Sequence, residues 1–415
     1  MRTRKVLCGM WLGLFLLIPT LAMGQPVIAI NCGGDEYTDG GITYIKDAYF
    51  TGGTPYSTDE PIAGTSDQPV YQTERFGTFS YNIPVPEEGW YLVTLKFAEI
   101  YKYYVAPGTR VFDVVMEGRD VIMEFDLFSW AGGKYKAFDA RVPVYVKGGT
   151  LDIEFFGDEC CLKCRKIVKK CQETNFTADS INSCIKKYLL IYPTECTTGV
   201  AKVNGIVVEK IDDPFVFNPD DVVFAVNSGG SEFTNPSGIT YEADKYYTSG
   251  LTYSTTENIN ADENPIYQTE RWGEFCYSIP IENGTYKVVL KFAEIYKYIY
   301  QGGRNINVEI EGKTVLADLD LYAKYGKYKP FDFIVPFPVE VKDGKLDICF
   351  NSERCCLCTK KEGCTFSGVK RRWGCCAMWI DWLEKGLRVC KVGAAKVSGI
   401  LVLKEEVPPP PPPLE

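Results

Sequence analysis

A five-residue word made mostly of hydrogen-bonding side chains occurs twice, as Tyr71-Gln72-Thr73-Glu74-Arg75 and Tyr267-Gln268-Thr269-Glu270-Arg271. A second word, Lys96-Phe97-Ala98-Glu99-Ile100-Tyr101-Lys102-Tyr103, returns letter for letter from Lys291 to Tyr298. An identical octapeptide does not arise by chance, so the chain contains a duplication. Tyrosines beside amide and charged groups are the inventory of a sugar-binding cleft. The C–H face of a sugar packs on aromatic rings, and its hydroxyl rim bonds to carboxylates, amides and guanidinium groups. Tyr71, Tyr101, Tyr267 and Tyr296 are therefore candidate ligand contacts, with Gln72, Glu74, Arg75 and their copies as donors and acceptors. The same residue types also suit a sandwich core, and the Glu-Arg pair suits an ion pair that fixes a loop. Residue type leaves both readings open.

Hydrolysis is the enzymatic alternative. A glycosidase needs two carboxylates flanking one bond, roughly 5–9.5 Å apart. Asp126 with Asp139, Asp320 with Asp332, and Glu74 with Glu99 recur in both copies. Duplication explains that recurrence without catalysis. Histidine is absent, with 0 in the chain. This removes Ser-His and Cys-His nucleophile pairs, His-ligated zinc and the commonest general base near neutral pH. The expectation is a binding protein with no catalytic residue and no cofactor.

The elements that must position these words read as strands. Val27 to Gly34 and Val223 to Gly230 are short apolar runs that end in Asn and a Gly pair, a tight-turn signature. In Gly89 to Phe97, the residues Tyr91, Val93, Leu95 and Phe97 alternate as a half-buried strand requires. Further strand words are Phe79–Pro84, Val111–Met116, Val142–Val146, Leu151–Phe156 and one run from Ala201 to Val208, each with a partner in repeat two. Strands of this length between Gly-rich turns predict an antiparallel sandwich in each copy.

The first residues read as a secretory leader. Arg2, Arg4 and Lys5 precede an apolar run from Met10 to Leu21, and small residues close it at Ala22-Met23-Gly24. The run is shorter than the ~20 residues a spanning helix needs. The divisions expected are a leader over 1–24, domains over 25–211 and 222–407, a linker over 212–221 and a polyproline tail over 408–415. The compartment is then extracellular or the lumen of the endoplasmic reticulum, with no direct membrane span in the chain. The net charge of −9 disfavours nucleic acid and anionic membrane as partners. Asn175 and Asn283 stand in glycosylation words.

Cysteines number 17, and Cys8 lies in the leader. Cys161 and Cys164 have zinc-ligand spacing, but the second copy shortens it to Cys356-Leu357-Cys358. In an oxidising compartment disulfides are expected instead, with no metal. Mature repeat one holds seven cysteines and repeat two nine, both odd. Cys32 is a candidate for the odd one, because its counterpart is Ser228.

Taken together, these words resemble the malectin domain family. The match rests on the Asn-x-Gly-Gly opening, Tyr-Gln-Thr-Glu-Arg, the Lys-Phe-Ala-Glu-Ile-Tyr strand, and the words Phe125-Asp126-Leu127 and Asp318-Leu319-Asp320. The resemblance implies an all-β chain of two tandem jelly-roll β-sandwich domains, each with a Cys-rich, disulfide-stapled insertion near its end. It implies a lectin for glucose-containing or related oligosaccharides, whose partner is an oligosaccharide or a glycoprotein glycan. Carried over, the ligand-facing aromatics are Tyr71, Tyr101, Tyr267 and Tyr296, with Tyr56 and Tyr253 as weaker matches. The family's next aromatic is Lys102 or Lys297 here, with Tyr103 and Tyr298 one step on. Asp381 stands near the family's late acidic ligand residue in repeat two. The alternative is a receptor-type ectodomain that binds a peptide or a cell-wall component. Oligomeric state is not legible in the sequence.

Overall fold

The computed structural model describes residues 26–105, 107–157, 200–259, 262–356, 388–391 and 393–405. The leader, most of both Cys-rich segments, Asn175, Asp381 and the polyproline tail lie outside the described residues.

Repeat one begins with β1 (Ile28–Asn31), β2 (Tyr37–Asp39), β3 (Ile42–Lys46) and β4 (Phe50–Ser57). A single helical turn, α1 (Gln68–Tyr71), has Pro in its first turn, where a missing N–H is harmless. The long β5 (Thr73–Pro84) starts inside the pentapeptide, and β6 (Gly89–Phe97), β7 (Val111–Met116) and β8 (Arg119–Asp126) follow. After α2 (Leu127–Ala131) come β9 (Phe138–Val146), β10 (Thr150–Gly157), β11 (Ala201–Val203) and β12 (Gly205–Lys210). One sheet has the order β2-β3-β1-β12-β6-β9; the other is β11-β5-β10-β7-β8, with β4 added on β5. The predicted alternation holds: Tyr91, Val93, Leu95 and Phe97 are all buried, facing Phe112, Val114, Ile153 and Phe155 of the opposite sheet.

Repeat two repeats the plan. β13 (Val222–Asn227), β14 (Phe233–Thr234), β15 (Thr240–Ala243) and β16 (Leu251–Ser254) lead to α3 (Asn264–Tyr267). Then come β17 (Thr269–Gly273), β18 (Phe275–Pro280), β19 (Gly284–Ala293), β20 (Ile306–Ile310) and β21 (Lys313–Leu319). After α4 (Leu321–Tyr325) follow β22 (Pro330–Ile334), β23 (Val339–Val341), β24 (Lys345–Asn351), β25 (Glu353–Cys356) and β26 (Arg388–Lys391). β27 (Ala395–Val397) and β28 (Gly399–Lys404) close the repeat. Cys276 and Cys349, opposed on β18 and β24, form a disulfide. Cys32 is a free, buried thiol.

One expected strand is in fact two. The run from Ala201 to Val208 breaks at Asn204, so that β11 joins one sheet and β12 the other. The buried Asn204 holds this crossing: its amide donates to the carbonyls of Tyr71 (2.9 Å) and Thr73 (2.7 Å), and its oxygen accepts from the Ala98 N–H.

The copies also differ where they meet. β9 runs unbroken along β6, with Val142 opposite Val93 and Val144 opposite Tyr91. In repeat two Val335 bonds to Val288, but it is Val339 that lies opposite Tyr286. Two extra residues therefore stand around Phe337, and they bulge the strand toward repeat one. The Phe337 ring stacks on Phe125 at 5.0 Å and packs against Trp130 at 4.3 Å, while the Arg141 N–H donates to the Pro336 carbonyl at 2.7 Å. One apolar core spans both repeats.

Asp113 on β7 lies beside this junction and accepts the Glu124 N–H at 2.6 Å. Desolvation, then Glu124, Asp120 and Asp318, push its carboxyl up to about 7. The fold thus favours the protonated form. That stabilisation is complete below the ordinary value of 3.8 and is lost as pH rises through about 7. Repeat two places Asn307 in the equivalent position, where it accepts the Asp318 N–H at 2.8 Å. Asp113→Asn is expected to raise stability at pH 8 and to flatten its decline between pH 5 and 8, read by urea denaturation. An unchanged slope would refute this.

Candidate functional site

Within the pentapeptide, alternate side chains go to opposite faces of β5. Glu74 is buried and pairs with the fully buried Lys202, which also donates to the Ala98 carbonyl. Arg110 joins them at 3.9 Å from Glu74 and 2.7 Å from Glu99. Arg75 turns the other way, to Asp47 at 2.6 Å. The second oxygen of Asp47 accepts from the Tyr81 hydroxyl at 2.8 Å, and its first also accepts the Gly33 N–H at 2.7 Å. Gly33 must be glycine: its φ is +74°, and a Cβ would lie 2.1 Å from the Glu74 carbonyl oxygen. Of the two readings left open for Glu74 and Arg75, the structure shows internal ion pairs, made in two separate networks and not with each other. Repeat two reproduces both, with Glu270–Lys396 and Glu294–Arg304 on one face and Arg271–Asp244 on the other.

Tyr71 and Tyr267 lie beneath the surface, at 2% and 3% exposure. The Tyr71 hydroxyl donates to Asp139, and Lys96 donates to both Asp139 (3.3 Å) and Tyr71 (3.2 Å). Burial, then the adjacent carboxylate, push both phenols well above their ordinary value. In repeat two Tyr267 bonds to Asp332, and Lys291 bridges Asp332 and Glu263. Each Tyr is packed in a small apolar cluster; Tyr56 leans on the first and Tyr253 on the second.

Half-buried and exposed rings gather one layer above. Glu99, fixed by Arg110, accepts the Tyr101 N–H at 2.9 Å, and Glu294 accepts that of Tyr296 at 3.0 Å. Tyr101 meets Tyr56 at 5.7 Å, Tyr103 at 5.5 Å and Tyr104 at 5.1 Å, all edge to face. Tyr296 meets Tyr253 at 5.8 Å and Tyr298 at 5.7 Å. Tyr103 and Tyr298 are 66% and 68% exposed, so their rings are open to a ligand. The structure thus brings Tyr56, Tyr101 and Tyr103 together, and likewise Tyr253, Tyr296 and Tyr298. Tyr71 and Tyr267 are set below as supports.

Sequence reasoning missed Tyr135 and Tyr328. Both have left-handed backbone, at φ 54° and 57°, which is strained for a bulky side chain. Each donates its N–H to the carbonyl of Glu99 or Glu294, and each packs on the same small cluster as Tyr56 or Tyr253. Their signal was available in a third shared word, Gly133-Lys134-Tyr135-Lys136-Ala137-Phe138-Asp139 against Gly326-Lys327-Tyr328-Lys329-Pro330-Phe331-Asp332.

The remaining acidic candidates have local duties. Asp126 and Asp320 cap α2 and α4 and also accept the N–H of Gly108 and Gly302. The exposed Asn283 accepts the Gly344 N–H at 2.8 Å on the turn between β18 and β19. Among the described residues no group of three or more Cys, Asp or Glu is arranged to hold a metal ion. No helix among them is long and apolar enough to cross a membrane.

The chain is thus two tandem β-sandwiches, each carrying an aromatic cluster over a buried Tyr that is bonded to a partly buried Asp and to a Lys. The malectin domain model matches residues 26–178 and 222–363, and the chain belongs to that family. Malectin-B of Xenopus laevis is 36% identical over 134 residues, which cover 30% of this chain and 48% of that protein. Human malectin is 35% identical over 134 residues, covering 30% of this chain and 45% of its own length. The chain spans about half the length of these curated relatives. Among solved structures, plant receptor-like kinase FER aligns over 91% of this chain and 95% of its own, at 17% identity and a TM-score of 0.35.

Tyr71→Phe removes a hydroxyl held by a carboxylate and an ammonium. A loss of about 1.5–3 kcal/mol is expected in urea denaturation, the range for hydrogen bonds to charged groups. A change below about 0.5 kcal/mol would deny Tyr71 its supporting role.

Proposed function

We propose that the protein binds oligosaccharides through the two partly exposed tyrosine clusters and does not turn them over. The observation that carries this reading is the cluster itself, built the same way twice: Tyr56–Tyr101–Tyr103 and Tyr253–Tyr296–Tyr298. Edge-to-face packing fixes each ring by its neighbours and leaves apolar faces for sugar C–H groups at little entropic cost. Membership of the malectin family supports the same ligand class. Absence of turnover is supported by the recurring carboxylates. Glu74 and Glu99 are buried in ion pairs, Asp126 and Asp320 cap helices, and Asp139 and Asp332 hold a phenol.

The partner on this reading is an oligosaccharide or a glycoprotein glycan in the extracellular space or the endoplasmic reticulum lumen. Two weak sites in one chain raise avidity on a multivalent glycan surface. Asn283 is offered as a glycosylation site on its exposed turn, and the domain limits of 25–211 and 222–407 belong to the same proposal.

A glycan array on the full mature chain tests it, with Tyr101→Ala, Tyr296→Ala and the double variant alongside. Each single change is expected to weaken binding about tenfold or more, as for a buried aromatic anchor, and the double to abolish it. Binding unchanged in the double variant would place the site elsewhere. Reducing sugar released from a bound oligosaccharide would replace the reading with hydrolysis.

A further inference from the structure

Each tyrosine cluster is flanked by two lysines with no carboxylate partner among the described residues. In repeat one these are Lys102, from the shared octapeptide, and Lys134, from the third shared word. The Lys134 ammonium donates to the Lys102 carbonyl at 3.1 Å and lies 4.5 Å from the centre of the Tyr135 ring; that of Lys102 lies 4.9 Å from Tyr103. Repeat two keeps the link and the first ring contact: Lys327 donates to the Lys297 carbonyl, and Lys297 lies 4.8 Å from Tyr298, while the ring near Lys327 is Tyr322, at 5.7 Å. Among the described residues none of the four makes an ion pair, whereas Lys96 and Lys291 of the octapeptide and Lys202 and Lys396 of the Ala-Lys-Val strands are bound to carboxylates. Against the two ammonium groups, the acids that bear on Tyr328 are the exposed Glu257, whose counterpart in repeat one is Glu60, and Glu294, which Arg304 already neutralises.

The chain as a whole carries −9. A general attraction to polyanions is therefore absent, and a positive spot at the aromatic cluster acts only over short range. The side-chain-to-carbonyl link ties the loop that carries Lys102 to the one that carries Lys134, and each ammonium lies beside a tyrosine ring of that loop pair. A neutral sugar takes only hydrogen bonds from two ammonium groups and leaves their charge uncompensated. A sugar ring that bears an anionic substituent uses both features at once.

We propose that the ligand of each cluster is an anionic oligosaccharide, whose carboxylate or sulfate group is received between Lys102 and Lys134 in repeat one and between Lys297 and Lys327 in repeat two. This rests on the carbohydrate-binding reading above and narrows its ligand class.

Calorimetric titration of the full chain separates the possibilities, with four probes of matched length. These are a neutral glucose oligosaccharide, a uronic-acid oligosaccharide, a sulfated glucose oligosaccharide and, as a charge control without sugar, oligoglutamate. At low salt at least one anionic sugar is expected to bind about three- to tenfold tighter than the neutral one. That is the range for one or two exposed ion pairs, and the preference should shrink as salt is raised to 0.5 M. Comparing the uronic and sulfated probes identifies the anion. In the variant Lys102→Gln/Lys134→Gln/Lys297→Gln/Lys327→Gln the ratio of anionic to neutral affinity should fall toward one. In Tyr101→Ala/Tyr296→Ala both affinities should fall together. Equal or tighter binding of the neutral sugar overturns the anion assignment and leaves the carbohydrate reading standing. So does a preference that survives the four lysine changes. Oligoglutamate bound as tightly as the anionic sugars overturns the sugar component, and no binding of any sugar probe overturns both.

Discussion

The structure depends on a set of buried charges that cannot be separated. Lys202, Glu74, Arg110 and Glu99 are all within the protein, and burial pulls the Lys202 ammonium below its ordinary range against the pull of the two carboxylates. Removing one partner from such a set leaves an uncompensated charge in a poorly polarisable interior, a penalty of several kcal/mol. The set therefore fixes relative position. It joins β11 and β5 to the loop after β6, and through the Glu99 carboxylate it holds the Tyr101 backbone at the surface. Repeat two keeps the same four charge positions, in Lys396, Glu270, Arg304 and Glu294.

Around this set the sandwich divides its labour by depth. The apolar alternation of β6, β7 and β10 makes the core, and the buried ion pairs lock the end where the loops emerge. Above them sit Tyr71 and Tyr267, each engaged by a carboxylate and a lysine, and the exposed tyrosines lie last. The buried carboxylates Glu99 and Glu294 hold the backbone of Tyr101 and Tyr296, so the deep ion pairs position the outer rings. The strained backbone at Tyr135 and Tyr328 belongs to the same construction, because the Glu99 and Glu294 carbonyls that accept their N–H groups flank the residues that present the rings.

The two copies are not joined as beads on a string. The extra residues around Phe337 bend one strand out of the pattern that repeat one follows, and its ring fills an aromatic pocket of Phe125, Trp130 and Phe138. Two binding modules on a flexible linker would sample many separations, whereas a shared core sets one. An insertion in one copy accomplishes this while leaving the repeated ion-pair networks intact.

The sequence by itself determined the duplication, the strand words, the sandwich class and the family, because periodicity and a repeated octapeptide are local properties that survive without coordinates. It also marked the words whose tyrosines the fold gathers into two clusters. It did not determine rank within them. Tyr71 and Tyr101 stand in equally suggestive words, yet one is buried and bonded to Asp139, 68 residues away, and the other is at the surface. The partners of Glu74 and Arg75 were equally hidden, since adjacent strand residues face opposite ways and their counter-charges, Lys202 and Asp47, come from distant strands and loops. Tyr135 was legible only as part of a shared word, because a left-handed backbone at tyrosine has no sequence signature. The single run from Ala201 to Val208 looked continuous, and only the competing hydrogen bonds of Asn204 divide it between sheets. Which side chains recur was written in the chain; which of them are buried and which reach the surface was decided by long-range pairing.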